Sequence, residues 1–253
     1  MKNFKTGLLP FRHGITFSKD QSPKTSEEID RMRRVPYAEA VGSLMYVMLC
    51  TRPDICFAVG MVSRYQSNPG LQHWTAVKHI MKYLKRTKNY MLVYSGDELI
   101  PVGYTDSDFM SDKDSRKSTS GYVFTLGSRA ISWRSVKKSC ITNSTTEAAK
   151  EVVWLCKFLQ DLEVVPVVTA PLKLFCDNSD AVAQSKELRN HKKQKHIERK
   201  YHLIRDIVQR GDVEVTQIAS QQNLADPFTK AIPGKPFNLH LESMGMREMP
   251  NML

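Results

Sequence analysis

Four acidic residues occupy positions at which a sheet protein could gather a metal ion. Asp106 ends the apolar, strand-like part of "VGYTDSDFMSD". Asp177 ends the predicted strand in "LFCDN". Glu147 lies in the first turn of a predicted helix, and Asp226 follows a later strand within "NLADPFTK". Functional groups of open α/β sheets gather beyond the strand ends, so these carboxylates could converge. Clustered carboxylates repel one another, and binding a divalent cation through hard oxygen ligands is a strong reason for them to meet.

Each of these residues also has a purely structural explanation. Asp106 could form a turn, and Glu147 favours a helix N-terminus. Asp177 and Asp226 are residue types that commonly cap helices. The informative signal is therefore the whole set, in this order on these elements. Two divalent ions about 3.5–4 Å apart in such a site can steady the attacking and leaving oxygens in phosphodiester cleavage.

Hydrophobic periodicity predicts the elements that would position these residues. The first third is helical, with helices opening near Pro36 and Pro53 and a third one before the change of pattern at Tyr90. Strand-like runs follow, two of them joined by a hairpin turn at Gly127-Ser128-Arg129. A helix from about Ser144 to Leu162 comes next. Strands and helices then alternate up to a last short helix, "DPFTKAI". This order predicts an α/β fold with one mixed sheet and helices on its faces.

Composition favours a polyanionic partner. The chain has 253 residues, with 37 Lys and Arg against 26 Asp and Glu, and a net charge of +11. Nucleic acid is the commonest partner of such a basic protein. The 5 cysteines form no C-x-x-C pair, which indicates free thiols in a reducing compartment. The sequence shows no signal peptide and no run able to span a bilayer. It therefore predicts an intracellular protein, cytoplasmic or nuclear, with no membrane partner.

Several motifs together resemble the RNase H region of copia-type LTR retrotransposon Pol polyproteins. They lie between about Ile100 and Pro233 and read "GYTDSDF", "SGYVFTLGSRAISW", "STTEA", "LFCDNSDAVAQSK", "KHIERKYHLIRDIVQRGDVEV" and "NLADPFTK". The preceding segment is similar to the end of the reverse transcriptase and its connection in that family. The resemblance implies a helical segment at 1–97, an RNase H-like domain at 98–233 and a tail at 234–253. The implied fold is an RNase H-like mixed five-stranded sheet flanked by helices, preceded by a smaller, mainly helical segment.

The same resemblance implies a function. It implies hydrolysis of the RNA strand of RNA–DNA hybrids, with Mg²⁺ or Mn²⁺ as cofactor. It carries catalytic and metal-binding roles onto Asp106, Glu147, Asp177 and Asp226. The implied partners are an RNA–DNA hybrid or other nucleic acid, and the upstream reverse transcriptase portion. The polymerase's paired-aspartate motif lies upstream in the family and is not in this sequence, so we do not expect DNA polymerisation.

The helix that carries Glu147 departs from the family pattern. There, "STTEA" continues through roughly eight more residues, beginning Glu-Tyr, before an "AKE"-like run, whereas here Ala148 leads directly into "AKEVVWL". Such a loss removes about two helical turns and rotates the remainder of the helix by about 80°. Either Glu147 or the apolar stripe of this helix must therefore lie at a different position from the one it has in the family. The predicted stripe is Val152, Leu155, Phe158, Leu159 and Leu162. We expect weak cleavage or none.

Ten residues are predicted to contact nucleic acid, most of them in the basic run between Arg189 and Arg205. Such a run could follow a phosphate backbone with salt-dependent affinity, or it could be a plain solvated helix. The predicted set comprises Ser118, Thr119, Ser120, Asn178, Lys192, Lys193, Lys195, His196, Arg199 and Lys200. Recognition of a hybrid would rest on shape, phosphates and the 2′-hydroxyl.

Three function classes stay open at this point. The first is an active hybrid-specific ribonuclease. The second is a catalytically dead nucleic-acid-binding relic of the same domain, and the shortened helix is the feature that separates these two. The third is an integrase or transposase core, which the residue order disfavours, because such cores end their acidic series with Glu, whereas here Glu147 is second.

Overall fold

Helices fill the first part of the chain. The structure is a computed structural model that describes residues 9–94, 99–109, 112–138, 144–165, 171–186 and 203–249. Its first helices are α1 (Ser26–Arg33), α2 (Tyr37–Cys50), α3 (Cys56–Ser63) and α4 (Leu71–Arg86). As predicted, prolines mark two of the starts. Pro36 is the N-cap of α2, and Pro53 opens a short 3₁₀ turn that leads into α3.

A buried ion pair fixes the break between α2 and α3. The guanidinium of Arg52 donates to both carboxylate oxygens of Asp54, at 2.9 and 2.6 Å. The hydroxyl of Tyr83 donates to the same carboxylate at 2.6 Å, and Arg52 also donates to the Thr87 carbonyl at 3.0 Å. Buried charges are tolerated when paired and fully hydrogen-bonded. This network therefore ties the interhelical turn to helix α4.

A five-stranded mixed sheet follows the short strand β1 (Tyr90–Leu92). Its strands are β2 (Pro101–Asp108), β3 (Thr119–Leu126), β4 (Arg129–Lys137), β5 (Leu172–Cys176) and β6 (Val213–Gln217). In space the order is β4-β3-β2-β5-β6. The strands β2, β3 and β4 are antiparallel neighbours, whereas β5 lies parallel to both β2 and β6. This sheet confirms the predicted RNase H-like α/β architecture.

Tight turn geometry joins β3 to β4. Gly127 and Ser128 both have positive φ, 56° and 60°, which is the requirement of a two-residue type I′ hairpin turn. The predicted hairpin at this position is therefore confirmed.

Helices cover one face of the sheet. They are α5 (Ser144–Asp161), α6 (Ser179–Lys186) and α7 (residues 203–209). Successive strand residues point to opposite faces. Accordingly, Phe124 of β3 packs in a core with Val152 of α5, whereas its neighbour Val123 packs in a second core with the N-terminal helices. The sheet thus lies between two apolar layers.

The C-terminal part returns to the first strand. Helix α8 (Gly234–Ser243) is followed by β7 (Met246–Glu248), which pairs antiparallel with β1. The proposed division of the chain at residues 97/98 and 233/234 stays a prediction. Within the residues that the structure describes, no helix is both long enough and apolar enough to cross a membrane.

Two elements differ from their predicted form. The segment "DPFTKAI" forms only a 3₁₀ turn, Asp226–Phe228, instead of a helix, because tertiary hydrogen bonds described below hold its residues. On α5, Val152 and Leu155 are buried as predicted, but Phe158 and Leu162 are exposed. The buried face instead contains the small residues Ala148 and Ala149 at the start of the helix.

Candidate metal centre

Three aspartates from separate elements meet at one end of the sheet. Each of Asp106, Asp177 and Asp226 offers a carboxylate oxygen, and these oxygens lie within 4.8 Å of one another. Asp106 and Asp226 are buried, and Asp177 is half-buried. The structure thus brings together three of the four acidic residues singled out in the sequence.

Asp106 occupies strand β2 itself, two residues before its end, rather than following the strand as the sequence suggested. Asp106 pairs with Gly121 of the neighbouring strand β3, and the hydroxyl of Thr229 donates to the Asp106 carboxylate. Burial raises the pKa of Asp106, the Thr229 hydrogen bond opposes that rise, and the charge of Asp177 adds to it. The carboxylate is therefore held on a rigid strand and is costly to ionise without a cation.

Asp177 follows β5 directly, so the parallel pairing of β2 with β5 places it near Asp106. The hydroxyl of Ser220 donates to its Oδ2 atom at 2.7 Å. Ser220 belongs to the 3₁₀ turn Ser220–Gln222 that comes after β6. The ends of two neighbouring parallel strands thus meet through this hydrogen bond.

Asp226 opens the turn Asp226–Phe228 and faces a lysine one turn later. Its Oδ2 atom lies 3.0 Å from Nζ of Lys230. Burial raises the pKa of Asp226 to about 6, although the Lys230 hydrogen bond and charge oppose that rise. Burial lowers the pKa of Lys230, but the charges of Asp106 and Asp226 outweigh it and leave that pKa raised. Lys230 therefore neutralises part of the acidic cluster.

The residues present fit a divalent cation. Among the described residues, the buried Oδ1 atom of Asp226 has no hydrogen-bond partner. A buried polar atom without a partner is costly, and a cation would satisfy it. Carboxylate oxygens are the ligands that hard divalent cations prefer. The acidic cluster is therefore compatible with divalent metal binding.

Glu147 lies outside this cluster. Among the described residues, the carboxylates with oxygens within 4.8 Å of one another are those of the three aspartates alone. Glu147 is half-buried in the first turn of α5. Burial raises the pKa of Tyr122, whose ring packs in the core beneath α5. The charges of Glu151 and Glu147 add to this rise, so Glu147 lies close enough to Tyr122 to act on it. Helix α5 thus keeps most of its predicted stripe packed, and Glu147 is not a member of the acidic cluster as defined by this distance.

The chain is similar in sequence to Pol polyproteins of plant transposons. The chain is 43% identical over 254 residues to the retrovirus-related Pol polyprotein from transposon TNT 1-94 of Nicotiana tabacum, which covers 97% of this chain and 19% of the relative. It is 34% identical over 223 residues to the corresponding polyprotein from transposon RE1 of Arabidopsis thaliana, covering 85% of the chain and 15% of the relative. The chain belongs to the family of retrovirus-related transposon Pol polyproteins. It spans less than a fifth of the length of these Pol polyproteins.

Comparisons with family models and with solved structures add less than the sequence relatives do. No family model matches the chain. Among solved structures, it is similar to LC11-RNase H1 in complex with an RNA/DNA hybrid, with 17% identity and a TM-score of 0.39, over 51% of this chain and 93% of that one. Membership of the Pol polyprotein family therefore rests on the sequence relatives.

Four of the predicted nucleic-acid contacts lie on described residues of this Pol segment. Thr119 and Ser120 are buried in β3, and the Thr119 hydroxyl accepts from Arg64 at 3.1 Å. The Asn178 side chain caps α6, because its Oδ1 atom accepts from the backbone of Asp180 and Ala181, at 3.0 and 3.1 Å. Thr119 and Asn178 thus have structural partners, and Ser120 is buried.

The fourth, Ser118, has a half-buried side chain just before β3. The other six predicted contacts lie outside the described residues. They are Lys192, Lys193, Lys195, His196, Arg199 and Lys200.

Sequence reasoning missed the side chains that position the aspartates. Thr229 and Lys230 lie inside the family motif "NLADPFTK", but they were not assigned a role. Asn223 of the same motif donates to the Thr105 carbonyl at 3.1 Å and accepts from the backbone of Ala225 at 3.1 Å. It thereby ties the loop to β2. Ser220 lies outside every motif, so only the fold reveals its contact with Asp177.

Proposed function

We propose that this chain is a metal-dependent nuclease segment that hydrolyses the RNA strand of RNA–DNA hybrids. The observation that carries the proposal is the convergence of Asp106, Asp177 and Asp226 within 4.8 Å at the end of the sheet. Membership of the Pol polyprotein family supports it, because those polyproteins supply the motifs in which these residues lie. We propose Mg²⁺ or Mn²⁺ as the cation, with the aspartates as its protein ligands and Glu147 as a fourth ligand if α5 moves.

The chain's own residues would prepare the reaction. When bound, divalent cations supply Lewis-acid activation of a phosphate oxygen and of water. The three aspartates would hold them on two rigid strand ends and one tight turn. Thr229 and Ser220 orient the carboxylates of Asp106 and Asp177 by hydrogen bonds. Such positioning residues keep ligand geometry within the narrow limits that a catalytic site requires.

Nucleic acid is the proposed partner. The net charge of +11 supports attraction of a polyanion. The run between Arg189 and Arg205 is proposed to follow its phosphates. We also propose that the upstream reverse transcriptase portion of the polyprotein packs with this segment in the complete protein.

A second function is favoured by one observation. Among the described residues, Glu147 is not a member of the group of carboxylates within 4.8 Å of one another, and hard cations tolerate poor ligand geometry badly. The segment could therefore bind nucleic acid without efficient turnover, as a relic of the same domain.

Mutation of the aspartates tests the proposal. Because Asp→Asn keeps the size but removes the ligand charge, we expect Asp106→Asn and Asp177→Asn each to lower Mg²⁺-dependent cleavage of a labelled RNA–DNA hybrid at least 100-fold. Asp212→Asn, at an exposed ion pair with Arg210, is the control and should cleave as the wild type does. Wild-type rates in both Asn variants would exclude the proposed metal site, whereas a wild type that binds the hybrid without cleaving it would favour the relic.

A further inference from the structure

A cleft of about 610 Å³ opens on the same side of the sheet as the metal centre. Its walls come from strands β2 to β4, the Ser220–Gln222 turn and helix α8, and its volume is that of a small-molecule site. One nucleotide is smaller than this volume, so the cleft is large enough for a single unpaired unit.

The lining of the cleft contains one aromatic side chain, Tyr104, which is itself stacked on a second ring. The Tyr104 ring lines the cleft and stacks on Phe175 of β5 with 5.2 Å between ring centroids and 30° between planes. Both rings are half-buried, and the neighbouring Lys173 on β5 is exposed. Half-buried aromatic rings on a sheet face are surfaces on which a nucleobase can stack.

Two arginines stand at one end of the cleft. Arg129 begins β4, and its side chain lies across Gly245, where a Cβ atom would come within 2.3 Å of the arginine Cδ. Arg247 donates to the carbonyls of Glu242 and Met246 at 2.6 and 3.0 Å. Both guanidinium groups are thereby held at the rim, where they could contact a phosphate. Glu242 is the acidic side chain in this lining.

The cleft and the acidic cluster share two elements, strand β2 and the Ser220–Gln222 turn. Tyr104 precedes Asp106 by two residues on β2, so the two side chains point to the same face of the sheet. The Ser220–Gln222 turn contacts both sites, because Ser220 bonds Asp177 while Gln221 and Gln222 line the cleft. The cleft and the acidic cluster therefore lie on one face of the sheet as neighbours.

We propose that this cleft binds one unpaired nucleotide of a single-stranded nucleic acid, with its base on Tyr104 and its phosphate toward Arg129 and Arg247. The amides of Gln221 and Gln222 are positioned to contact base or sugar edges. Stacking uses the face that every base shares, so the site should tolerate many sequences. This binding goes beyond the proposed cleavage and needs no metal.

Binding of a labelled ten-nucleotide thymidine DNA by the full chain, measured by fluorescence anisotropy in EDTA, tests the proposal. We expect Tyr104→Leu to weaken binding about tenfold, since the variant loses the ring on which the base stacks. Tyr104→Phe keeps the ring and should bind within twofold of the wild type. A 2-aminopurine in the strand should be quenched by the wild type and by the Phe variant, but less so by the Leu variant.

A pair of arginine variants keeps the test decisive if Tyr104→Leu does not fold. Arg247→Gln should weaken binding at least threefold. Arg210→Gln, at an exposed arginine that does not line the cleft, changes the net charge equally and should bind within twofold of the wild type. Equal effects of the two arginine variants, or unchanged binding by a folded Tyr104→Leu protein, would overturn the proposal. Hybrid cleavage in Mg²⁺ is measured separately, so a wild type that fails to cleave contradicts the proposed function alone.

Discussion

At the scale of single residues, the metal centre balances repulsion among carboxylates against a few neutralising contacts. Lys230 lies 3.0 Å from Asp226, and the hydroxyls of Thr229 and Ser220 donate to the other two aspartates. These contacts do not remove the cost of burial, because the pKa of Asp226 is still raised to about 6. Without a cation, the Asp226 carboxyl of the folded protein is therefore mainly protonated below about pH 6.

The raised pKa of Asp226 predicts how stability depends on pH. A carboxyl with a higher pKa in the folded state favours folding below the unfolded pKa of about 4, and this contribution is lost as pH rises through about 6. We expect the metal-free protein to lose about 1–3 kcal/mol between pH 4.5 and 7 from this residue. Asp226→Asn should remove this loss, as measured by urea unfolding at both pH values.

The same titration predicts a metal effect. Because cations compete with protons for the carboxylates, Mg²⁺ should stabilise the wild type more at pH 7 than at pH 5, and should stabilise Asp226→Asn less. Identical pH dependence of the two proteins in EDTA would show that Asp226 ionises like a surface carboxylate.

The sequence could predict which aspartates converge, but not their hydrogen-bond partners. Asp106, Asp177 and Asp226 each follow or end a recognisable strand, and parallel pairing brings such ends together. The contacts of Thr229 and Ser220 depend on the exact path of two loops after β6. No periodicity or local propensity encodes that path, so these residues could be found only in three dimensions.

At the scale of elements, one close approach sets the position of the Asp226–Phe228 turn. A Cβ atom on Gly121 of β3 would lie 2.6 Å from Cβ of Phe228 and 2.9 Å from Cγ2 of Thr229. Gly121 pairs with Asp106. Glycine therefore lets the turn pack directly on the strand beside the metal centre.

Gly121→Ala should push this turn away from the sheet. We expect a loss of about 1–3 kcal/mol in stability from overpacking, together with a clear drop in the stabilisation produced by Mg²⁺. Gly42→Ala is the matched control, because this exposed glycine lies within helix α2 with nothing within 4 Å of the added Cβ. That variant should gain about 0.5–1 kcal/mol. Thermal unfolding with and without Mg²⁺ measures both effects, and an unchanged Mg²⁺ response in Gly121→Ala would contradict the positioning role.

Helix α5 shows how much of an element the sequence determines. Its bounds, Ser144–Asp161, match the predicted helix closely, because caps and periodicity are local signals. Its buried face does not match fully, since Phe158 stacks on Trp154 at 5.3 Å and both are exposed. Burial depends on where the helix meets the sheet. We expect the family departure after Ala148 to act on that placement.

Restoring the missing turns tests the role of this helix. Inserting the eight-residue segment that begins Glu-Tyr after Ala148 adds about 12 Å of helix and frees Glu147 from the register of the packed stripe. We expect Mg²⁺-dependent hybrid cleavage to rise at least tenfold and the thermal midpoint to rise as well. An eight-residue Gly-Ser insertion at the same point is the control and should do neither. Robust cleavage by the unmodified chain, with no gain on insertion, would show that the short helix is compatible with activity.

At the scale of the whole molecule, ion pairs connect the N-terminal helices to the loop after β2, the strand that carries Asp106. Asp112 of that loop accepts from Arg64, beyond α3, at 3.1 Å, and its other oxygen lies 2.8 Å from Nζ of Lys137 in β4. Nearby, the hydroxyl of Tyr65 donates to Asp114 at 3.2 Å. These contacts join parts of the chain about 50 residues apart. The family resemblance and local sequence patterns predicted the N-terminal helices and the sheet. They did not predict the contacts of Asp112 and Asp114 that connect them.

The buried carboxylate of Asp112 predicts a large effect of a small change. Burial alone would raise its pKa, but hydrogen bonds from Lys137 and Ser115 lower it to about 2, so its contribution is present above pH 4 and lost as pH falls toward 2. Asp112→Asn removes the charge that faces the mostly covered guanidinium of Arg64, which keeps its hydrogen bond to Thr119. We expect a loss of about 3–5 kcal/mol at pH 7 in urea unfolding. Asp212→Asn removes an exposed partner of Arg210 and should cost less than about 1 kcal/mol. Similar losses in the two variants would mean that the helices and the sheet are not joined through Asp112.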